Sequence, residues 1–300
     1  MKRKKREEDM NSFFEQGDLV NRPFECFYFN SQEKPFPVRP HYHYYLEIIL
    51  MLEGRASMHS NGRPYTVETG EMIVIHPNAV HSIYSADGKP VNYAVFKLDV
   101  SRIDMTTKYS PKTRSIFKKL EQDRTDIVIP ADETRAMGSH RIFEWCIQEV
   151  NERRYGYDQV IRSLIALLMT GILRYYLKNG FVLDSKTFAL DSRYDIFCIT
   201  EYILDEIGSG IKVEDVAAKC NMSYSGFARK FKEIYGMTCK EYMEEARLGK
   251  VEELLNYTDF DLNYIAQECG YSDCSHLINS FRKNRGITPA KYRDRSKTKG

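Results

Sequence analysis

The chain has 300 residues, of which 42% are hydrophobic and 29% are charged, and its formal net charge at pH 7 is +2. This length allows about two domains with separate cores, and this composition is ordinary for a soluble protein. The small net charge also excludes a uniformly basic surface, so any nucleic-acid contact has to come from local clusters of lysine and arginine.

Targeting signals and cysteine-based metal-binding patterns are absent from the sequence. The seven cysteines form no C-x-x-C pair and have no zinc-ligand spacing. The basic residues 2–6 are followed by acidic residues and not by an apolar stretch, which excludes a signal peptide. The longest apolar run, residues 164–173, is too short to cross a bilayer. We therefore expect a cytoplasmic protein without a membrane partner.

The N-terminal third has the pattern of a β domain. Residues 1–21 are polar and are expected to form a mobile arm. Asn61-Gly62 lies between two runs of strand-forming residues and is the strongest short signal for a β-hairpin. Short strands are predicted at residues 24–29, 46–52, 55–60, 63–67, 71–76, 80–84 and 91–98. Many short strands at close spacing predict a small barrel or jelly roll over residues 22–100.

Helical periodicity replaces the strand pattern after residue 101. Two amphipathic helices are predicted at residues 132–155 and 158–178, and Gly180 ends the second one. Such helices either cover the barrel or pair with a second subunit, so residues 101–180 are a candidate dimerisation region. Residues 181–192 are interpreted as a linker. The next helix, residues 194–207, has an inner stripe of isoleucines at 196, 199, 203 and 207.

A stretch of about 30 residues is then written twice between residues 213 and 292, with a period of about 50 residues. The two copies share apolar, glycine, threonine and tyrosine positions, and such a repeat indicates one supersecondary unit used twice. The matching pairs are Val216/Ile265, Ala217/Ala266, Cys220/Cys269, Phe231/Phe281, Gly236/Gly286, Thr238/Thr288 and Tyr242/Tyr292.

Each copy is predicted to be a helix, a tight turn and a second helix. The turn falls at Asn221 in the first copy and at Gly270 in the second, and both residue types accept a left-handed backbone conformation. The second helix of each copy has an apolar face and an opposite polar, cationic face. This is helix-turn-helix geometry, in which the second helix reads a DNA major groove.

The double unit, which ends in the sequence GITPAKYR from Gly286, resembles the DNA-binding domain of the AraC/XylS family of bacterial transcription regulators. The resemblance implies an α+β multidomain chain: an N-terminal cupin-like barrel or jelly roll with following helices, and a C-terminal all-α domain. The DNA-binding domain is placed at residues 193–295, with helix-turn-helix units at about 213–234 and 262–285. Regulators of this family are often dimeric through the helices that follow the barrel.

The candidate DNA-binding residues lie on the outer faces of the two second helices. They are Ser225, Ala228, Arg229 and Lys232 in the first copy, and Ser275, Ile278, Asn279 and Arg282 in the second. Arg229 is the best candidate for a guanine contact, Asn279 suits adenine, and Ile278 suits a thymine methyl group. Lys232 and Arg282 are interpreted as phosphate contacts. The clusters Arg229-Lys230-x-Lys232 and Arg282-Lys283-x-Arg285 supply the local positive charge.

The barrel contains a histidine and glutamate pattern, His41-x-His43-x3-Glu47-x6-Gly54, with His81 further along. It has the spacing of the cupin metal motif, and three imidazoles with a carboxylate suit a transition metal. Pro35, Ala79 and Ser85 depart from the cupin enzyme pattern, however, and AraC-like sensor domains mostly bind effectors without a catalytic metal. Structural histidines and effector-binding histidines are the alternatives, and the expectation is that there is no metal and no cofactor.

The expected effector site combines these side chains with nearby tyrosines: His41, His43, Tyr45, Glu47, His81 and Tyr84. Aromatic rings with hydroxyl groups suit a sugar-like ligand. The expected partners are double-stranded DNA, a small-molecule effector, a second copy of the chain, and RNA polymerase if the protein is an activator. The protein is not expected to be an enzyme. A metal-dependent cupin enzyme fused to a DNA-binding module, and a DNA-binding dimer that responds to no ligand, are the alternatives.

Overall fold

In the computed structural model the chain divides into two compact units, Met1–Ser192 and Arg193–Gly300. The structure describes residues 13–15, 24–98, 113–122, 127–183, 196 and 199–297. Most of the predicted arm and of the predicted linker lies outside these residues. Phe13–Glu15 belongs to the predicted arm, and these residues pair with the barrel: Tyr42 N donates to Phe13 O at 2.8 Å, and Glu15 N donates to Tyr42 O at 2.9 Å.

The N-terminal unit contains two antiparallel sheets, which agrees with the predicted barrel or jelly roll. One sheet has the strand order β1-β8-β3-β6-β9 and the other has the order β2-β7-β4-β5. The strands are β1 (Phe24–Asn30), β2 (Val38–His41), β3 (Leu46–Glu53), β4 (Arg55–Ser60), β5 (Arg63–Glu68), β6 (Met72–Ile75), β7 (His81–Ser85), β8 (Asn92–Leu98) and β9 (Val128–Ile129). Asn61 and Gly62 both have positive φ and form the predicted hairpin turn.

Two strands were absent from the sequence interpretation. β2 is four residues long and contains Pro40, and β9 has two residues, so neither has the alternating pattern of a longer strand. β9 pairs with β6. The sheet therefore recruits a strand from beyond residue 101, where strands were expected to end.

The helices of this unit pack on the outer face of the five-stranded sheet. They are α1 (Thr113–Gln122), α2 (Ala131–Ala136), α3 (Ser139–Glu152) and α4 (Tyr157–Lys178). The single helix predicted at residues 132–155 is wrong, because Gly138 adopts a φ of 68° and separates α2 from α3. Trp145 is 43% exposed and lies under the guanidinium of Arg141.

Strand β3 is buried on both faces, and this explains its continuous apolar sequence. Leu46, Ile48 and Leu50 share one core with α3 and α4. The alternate side chains Ile49 and Met51 face the second sheet. Glu47 has the same parity as Ile49 and Met51, so its carboxylate lies between the sheets.

Helix α4 is, among the described residues, the one helix long and apolar enough to cross a membrane. With 22 residues it exceeds the ten-residue run on which the sequence expectation was based. One face of α4 is buried in the core beneath the sheet, through Ile161, Leu164, Ile165, Leu168 and Ile172. A buried core helix can be as long and as apolar as a membrane-spanning helix.

The C-terminal unit is all helical in its described residues. Its helices are α5 (Ile199–Glu206), α6 (Val213–Lys219), α7 (Tyr224–Tyr235), α8 (Cys239–Tyr257), α9 (Leu262–Glu268), α10 (Cys274–Arg285) and α11 (Pro289–Lys297), with a 3₁₀ turn at Ile207–Ser209. The isoleucines at 196, 199, 203 and 207 are buried, as the stripe predicted. Pairs α6–α7 and α9–α10 are the two repeated units, and α8 joins them.

Candidate functional site

Helix α7 presents one buried and one exposed face. Its N-cap is Ser223, whose hydroxyl accepts a hydrogen bond from Gly226 N. Phe227, Phe231 and Ile234 are buried, and the Phe231 ring lies 5.7 Å from that of Tyr242 on α8. The structure places the predicted DNA-binding residues on the other side of the helix: Ser225, Arg229 and Lys232 are exposed, and Ala228 is half-buried.

Helix α10 repeats this arrangement with different outer residues. Its N-cap, Asp273, accepts a hydrogen bond from His276 N at 2.7 Å. Leu277 and Phe281 are fully buried. Of the predicted DNA-binding residues, Ser275, Asn279 and Arg282 are exposed and Ile278 is half-buried.

The two turns adopt the left-handed conformation that the sequence predicted. Asn221 has a φ of 54° and Gly270 a φ of 74°. A Cβ atom at Gly270 would lie 2.4 Å from the carbonyl oxygen of Ile207, whereas Asn221 is exposed. The second turn therefore requires glycine for space as well as for backbone conformation.

Arg285 does not belong to the exposed cationic cluster to which the sequence assigned it. Its guanidinium donates to Glu245 Oε2 at 2.9 Å and also pairs with Glu252, both on α8. On the same side of α10, Ser280 donates to Glu244, which also accepts from Tyr271. Among the described residues of α7, no such ion pair with α8 is found. We call these contacts of Ser280 and Arg285 with α8 the α8–α10 clamp.

Helix α8 sets the separation between the two helix-turn-helix units, α6–α7 and α9–α10. It begins at a capping box in which Glu241 N donates to Thr238 Oγ1 and Thr238 N donates to Glu241 Oε2. It has 19 residues, which corresponds to a length of about 28 Å. This is close to the roughly 34 Å repeat of the major groove along one face of DNA.

A polar cluster in the N-terminal unit brings together the histidine and glutamate residues that the sequence singled out. His41 of β2 pairs with His81 of β7 across the second sheet, and Glu47 of β3 lies on the other sheet. Glu47 Oε2 is 2.7 Å from His43 Nε2 and 3.0 Å from His81 Nε2. One candidate ligand atom from each of the four residues lies within 4.8 Å of the others, and only His41 is not fully buried. We call these four residues the HHEH cluster.

Two charged residues beside the HHEH cluster were not predicted. Lys97 is opposite Glu47 in the β3–β8 pairing, and its ammonium donates to Glu15 Oε2 at 2.9 Å. Glu15 Oε2 also lies 3.3 Å from His41 Nε2. The signal for Lys97 was available in the sequence, because it has the same parity as the inward-facing Tyr93 and Val95 of β8.

The electrostatics of the cluster favour ionised Glu47. Burial alone would raise the pKa of its carboxyl, but the positive charge of Lys97 and the contacts with His43 and His81 hold the pKa well below its usual range. Burial opposes protonation of His81, but Glu47 raises the pKa of its imidazole above the ordinary value. Burial and the neighbouring His81 lower the pKa of His41.

The two predicted effector-binding tyrosines, Tyr45 and Tyr84, lie in different parts of the N-terminal unit. Tyr45 is buried and its ring lies 5.8 Å from that of His43, edge to face. Tyr84 lies on the opposite face of β7 from His81, since it is three positions further along the strand and successive side chains alternate between the two faces. It lines a groove on the outer surface with Arg55, Ser57, His59 and Thr66. The structure therefore brings five of the six predicted effector-binding residues together and places Tyr84 elsewhere.

Comparisons with known proteins match both units. A model described as AraC-like ligand binding domain matches residues 23–150, and one described as helix-turn-helix domain matches residues 216–295. The HTH-type transcriptional activator RhaS of Escherichia fergusonii is 23% identical over 89% of this chain and 94% of its own length. The xylose operon regulatory protein of Escherichia coli is 34% identical over 93 residues, which are 31% of this chain and 24% of that protein.

Among solved structures, the DNA-binding domain of AdpA in complex with a target DNA is 25% identical over 35% of this chain and 96% of that chain, with a TM-score of 0.34.

Proposed function

The chain belongs to the AraC family of DNA-binding transcription regulators, and on that premise we propose that a small molecule in the N-terminal unit controls how the two helix-turn-helix units engage a promoter. The observation that carries this proposal is the paired arrangement of α7 and α10. Each helix has a capped N-terminus, a fully buried inner face and an exposed polar outer face, and α8 joins the two units.

We propose that the outer faces of α7 and α10 contact bases and phosphates in two successive major grooves. The base contacts come from Ser225, Ala228 and Arg229 on α7 and from Ser275, Ile278 and Asn279 on α10. Lys232 and Arg282 lie about one turn further along each helix and are assigned to the phosphates. Their exposure supports these roles.

The effector site is assigned to the HHEH cluster together with Tyr45. A charged cluster inside an otherwise apolar sheet sandwich supports this assignment, because buried charges are costly unless they are paired or serve a ligand. Tyrosine and histidine rings around polar groups are the surroundings that a sugar-like effector requires. Tyr84 is assigned to a separate outer groove, where it would contact only a ligand bound on the surface.

We assign dimerisation to the helices that follow the barrel. Val160, Leu167 and Leu177 of α4 are at least 40% exposed, as is Trp145 of α3, and exposed large apolar side chains of this kind are typical of a protein interface. A dimer in the cytoplasm, with contact to RNA polymerase if the regulator is an activator, completes the proposal. No catalytic role is assigned to the HHEH cluster, in keeping with the curated relatives, which are transcription regulators.

The proposal is tested by mapping the sites that the full-length protein binds across its genome, followed by footprinting at one site. The expected result is protection of two adjacent half-sites on one face of the DNA, close to a promoter whose output changes when the regulator is deleted. Candidate effectors, taken from the pathway that the neighbouring genes encode, are then added to the same footprint. If the protein protects no specific site, the proposed DNA recognition is wrong. If the footprint and the promoter output respond to none of these compounds, the proposed effector control is wrong.

A further inference from the structure

The HHEH cluster offers three nitrogens and one oxygen around a single small volume. A tetrahedral transition-metal ion with bonds of about 2.1 Å holds its ligand atoms about 3.4 Å apart. The observed distances from Glu47 Oε2 to the imidazoles of His43 and His81 are 2.7 and 3.0 Å, and all four candidate ligand atoms lie within 4.8 Å of one another. Shifts of about 1 Å in the side chains would bring the set to this spacing.

The second nitrogen of two of the rings is held by the backbone. His41 Nδ1 lies 2.9 Å from the carbonyl oxygen of Arg39, and His81 Nδ1 lies 2.8 Å from that of Ala79. A carbonyl oxygen only accepts hydrogen bonds, so each Nδ1 carries the proton and the neutral ring directs the lone pair of Nε2 into the cluster. Backbone carbonyls play the same part for metal-binding histidines, where they fix the tautomer and the orientation of the ring.

The inward lone pairs face carboxylate oxygens, which is repulsive unless a cation lies between them. His41 Nε2 faces Glu15 at 3.3 Å, and His81 Nε2 faces Glu47 at 3.0 Å. The contact of His81 lacks hydrogen-bond geometry, so this nitrogen is buried without a hydrogen-bond partner among the described residues. His81 is 2% exposed. A buried, inward-directed nitrogen of this kind requires either a proton or a metal ion.

The net charge of the cluster and its neighbours is also compatible with a bound cation. Glu15 and Glu47 contribute two negative charges, and Lys97 contributes one positive charge. With three neutral imidazoles the group has a net charge of −1, which a proton on one ring or a bound metal ion would offset. Lys97 donates its hydrogen bond to Glu15 and not to Glu47, so a metal ion at the Glu47 oxygen that contacts two imidazoles would replace only protons on those rings.

From this geometry we propose that His41, His43, Glu47 and His81 bind one divalent transition-metal ion in the N-terminal unit. Three imidazoles and one carboxylate suit zinc, cobalt, nickel or iron, whereas magnesium and calcium prefer all-oxygen sites. The inference replaces the expectation of a metal-free site, and it goes beyond the proposed function, which requires no metal for DNA recognition.

The test uses the untagged full-length protein after removal of metals by a chelator. Addition of Zn²⁺ is expected to raise the thermal midpoint and to saturate at one ion per chain, measured by elemental analysis after desalting. Co²⁺ is expected to produce the visible absorption of a four-coordinate site. Absence of a stoichiometric ion with every metal among Mn²⁺, Fe²⁺, Co²⁺, Ni²⁺ and Zn²⁺ would overturn the proposal.

Variants locate the ion. Glu47→Gln and His81→Gln are expected to weaken Zn²⁺ binding by at least about tenfold, since even residues behind the ligands cost that much when removed. His41→Gln, at the half-exposed edge of the cluster, provides the same comparison if the buried variants do not fold. The matched control is His59→Gln, an exposed histidine on β4, which should leave Zn²⁺ affinity unchanged.

Lys97→Met removes a competing positive charge and is expected to bind Zn²⁺ more tightly; weaker binding would contradict this position for the ion. Equal affinity in His41→Gln and His59→Gln would also overturn the proposal. Operator binding by the same metal-free protein separates the two inferences, because retained DNA binding without a metal site would leave the proposed function intact.

Discussion

Arg229 is the residue on which the reading of DNA by α7 most depends. It is exposed at the centre of the outer face, directly opposite the buried Phe227 and Phe231. A guanidinium in this position can donate to both acceptors of a guanine. Arg229→Ala is therefore expected to weaken binding to the cognate operator by about 1–3 kcal/mol and to relax one base position, measured by competition with operators substituted base by base.

Lys232, which is exposed about one turn further along α7, is the matched control. A phosphate contact releases about one counterion, so Lys232→Ala should reduce the salt slope of binding by about 0.9 without changing base preference. If Arg229→Ala weakened all sequences equally, or if Lys232→Ala left the salt slope unchanged, the assigned roles would be wrong.

His76 makes the N-terminal unit sensitive to acid. It directly follows β6 and its ring lies 6.1 Å from that of Phe117, and burial lowers the pKa of its imidazole to about 4. Below about pH 6.5 the unfolded chain takes up a proton that the folded chain does not. This contribution to stability is therefore complete above pH 6.5 and is lost as the pH falls towards 4.

The folded state is expected to lose about 2 kcal/mol from this residue between pH 7 and pH 5. His76→Leu should remove that part of the pH dependence, and among the described residues Nδ1 of His76 has no hydrogen-bond partner to lose. The measurement is urea unfolding at both pH values, followed by the fluorescence of Trp145, the only tryptophan in the chain, which reports on this unit. The same pH dependence in the variant would contradict the assignment.

At the scale of elements, the two turns of the repeat differ in what they tolerate. A Cβ atom added at Gly270 would lie only 2.4 Å from the carbonyl oxygen of Ile207. The backbone at Gly270 also has a φ of 74°, which residues with a side chain rarely adopt. Gly270→Ala is expected to destabilise the C-terminal unit by about 2–4 kcal/mol, since both strain and overpacking contribute. The control is Asn221→Gly, which should be nearly neutral, with unfolding of the helices followed by circular dichroism.

The α8–α10 clamp fixes the orientation of the second reading helix. Arg285 joins α10 to Glu245 and Glu252 of α8, and α7 has no such ion pair with α8 among the described residues. Arg285→Ala should therefore reduce discrimination at the half-site read by α10 and leave the salt slope unchanged. Arg282→Ala, on the exposed face of the same helix, should instead lower the slope by about 0.9. A lower slope in Arg285→Ala would indicate a phosphate contact and not a clamp.

At the scale of the whole molecule, the two reading helices are unequal. The outer face of α7 has Arg229 at its centre, whereas that of α10 has Ile278 and Asn279. One chain is therefore expected to recognise two half-sites of different sequence, in a fixed order. Inversion of one half-site should weaken binding at least about tenfold, because a single mismatched base pair already costs about 1–3 kcal/mol.

The control for this prediction is inversion of the entire operator, which should leave affinity unchanged in an electrophoretic mobility shift and reverse only the direction of the footprint. Equal binding to both arrangements of the half-sites would indicate that one helix dominates recognition.

Local sequence signals determined the elements of this protein and the faces of its helices. The turn residues Asn61, Gly62, Asn221 and Gly270 all have the positive φ that their types favour, and Phe227, Phe231, Leu277 and Phe281 are buried as their spacing predicted. These features depend on backbone conformation and on helical periodicity, which a few neighbouring residues specify.

The tertiary structure alone decided which side chains meet. Glu47 faces His43 and His81, Lys97 joins them from β8, and Tyr84 lies on the opposite face, because the strand register and the packing of two sheets bring together residues distant in sequence. The sequence groups Arg285 with the DNA-binding cations, whereas in the structure it forms ion pairs with Glu245 and Glu252. A charged side chain has the same local pattern whether it faces solvent or an ion-pair partner, so only the three-dimensional arrangement distinguishes a reader of DNA from a structural clamp.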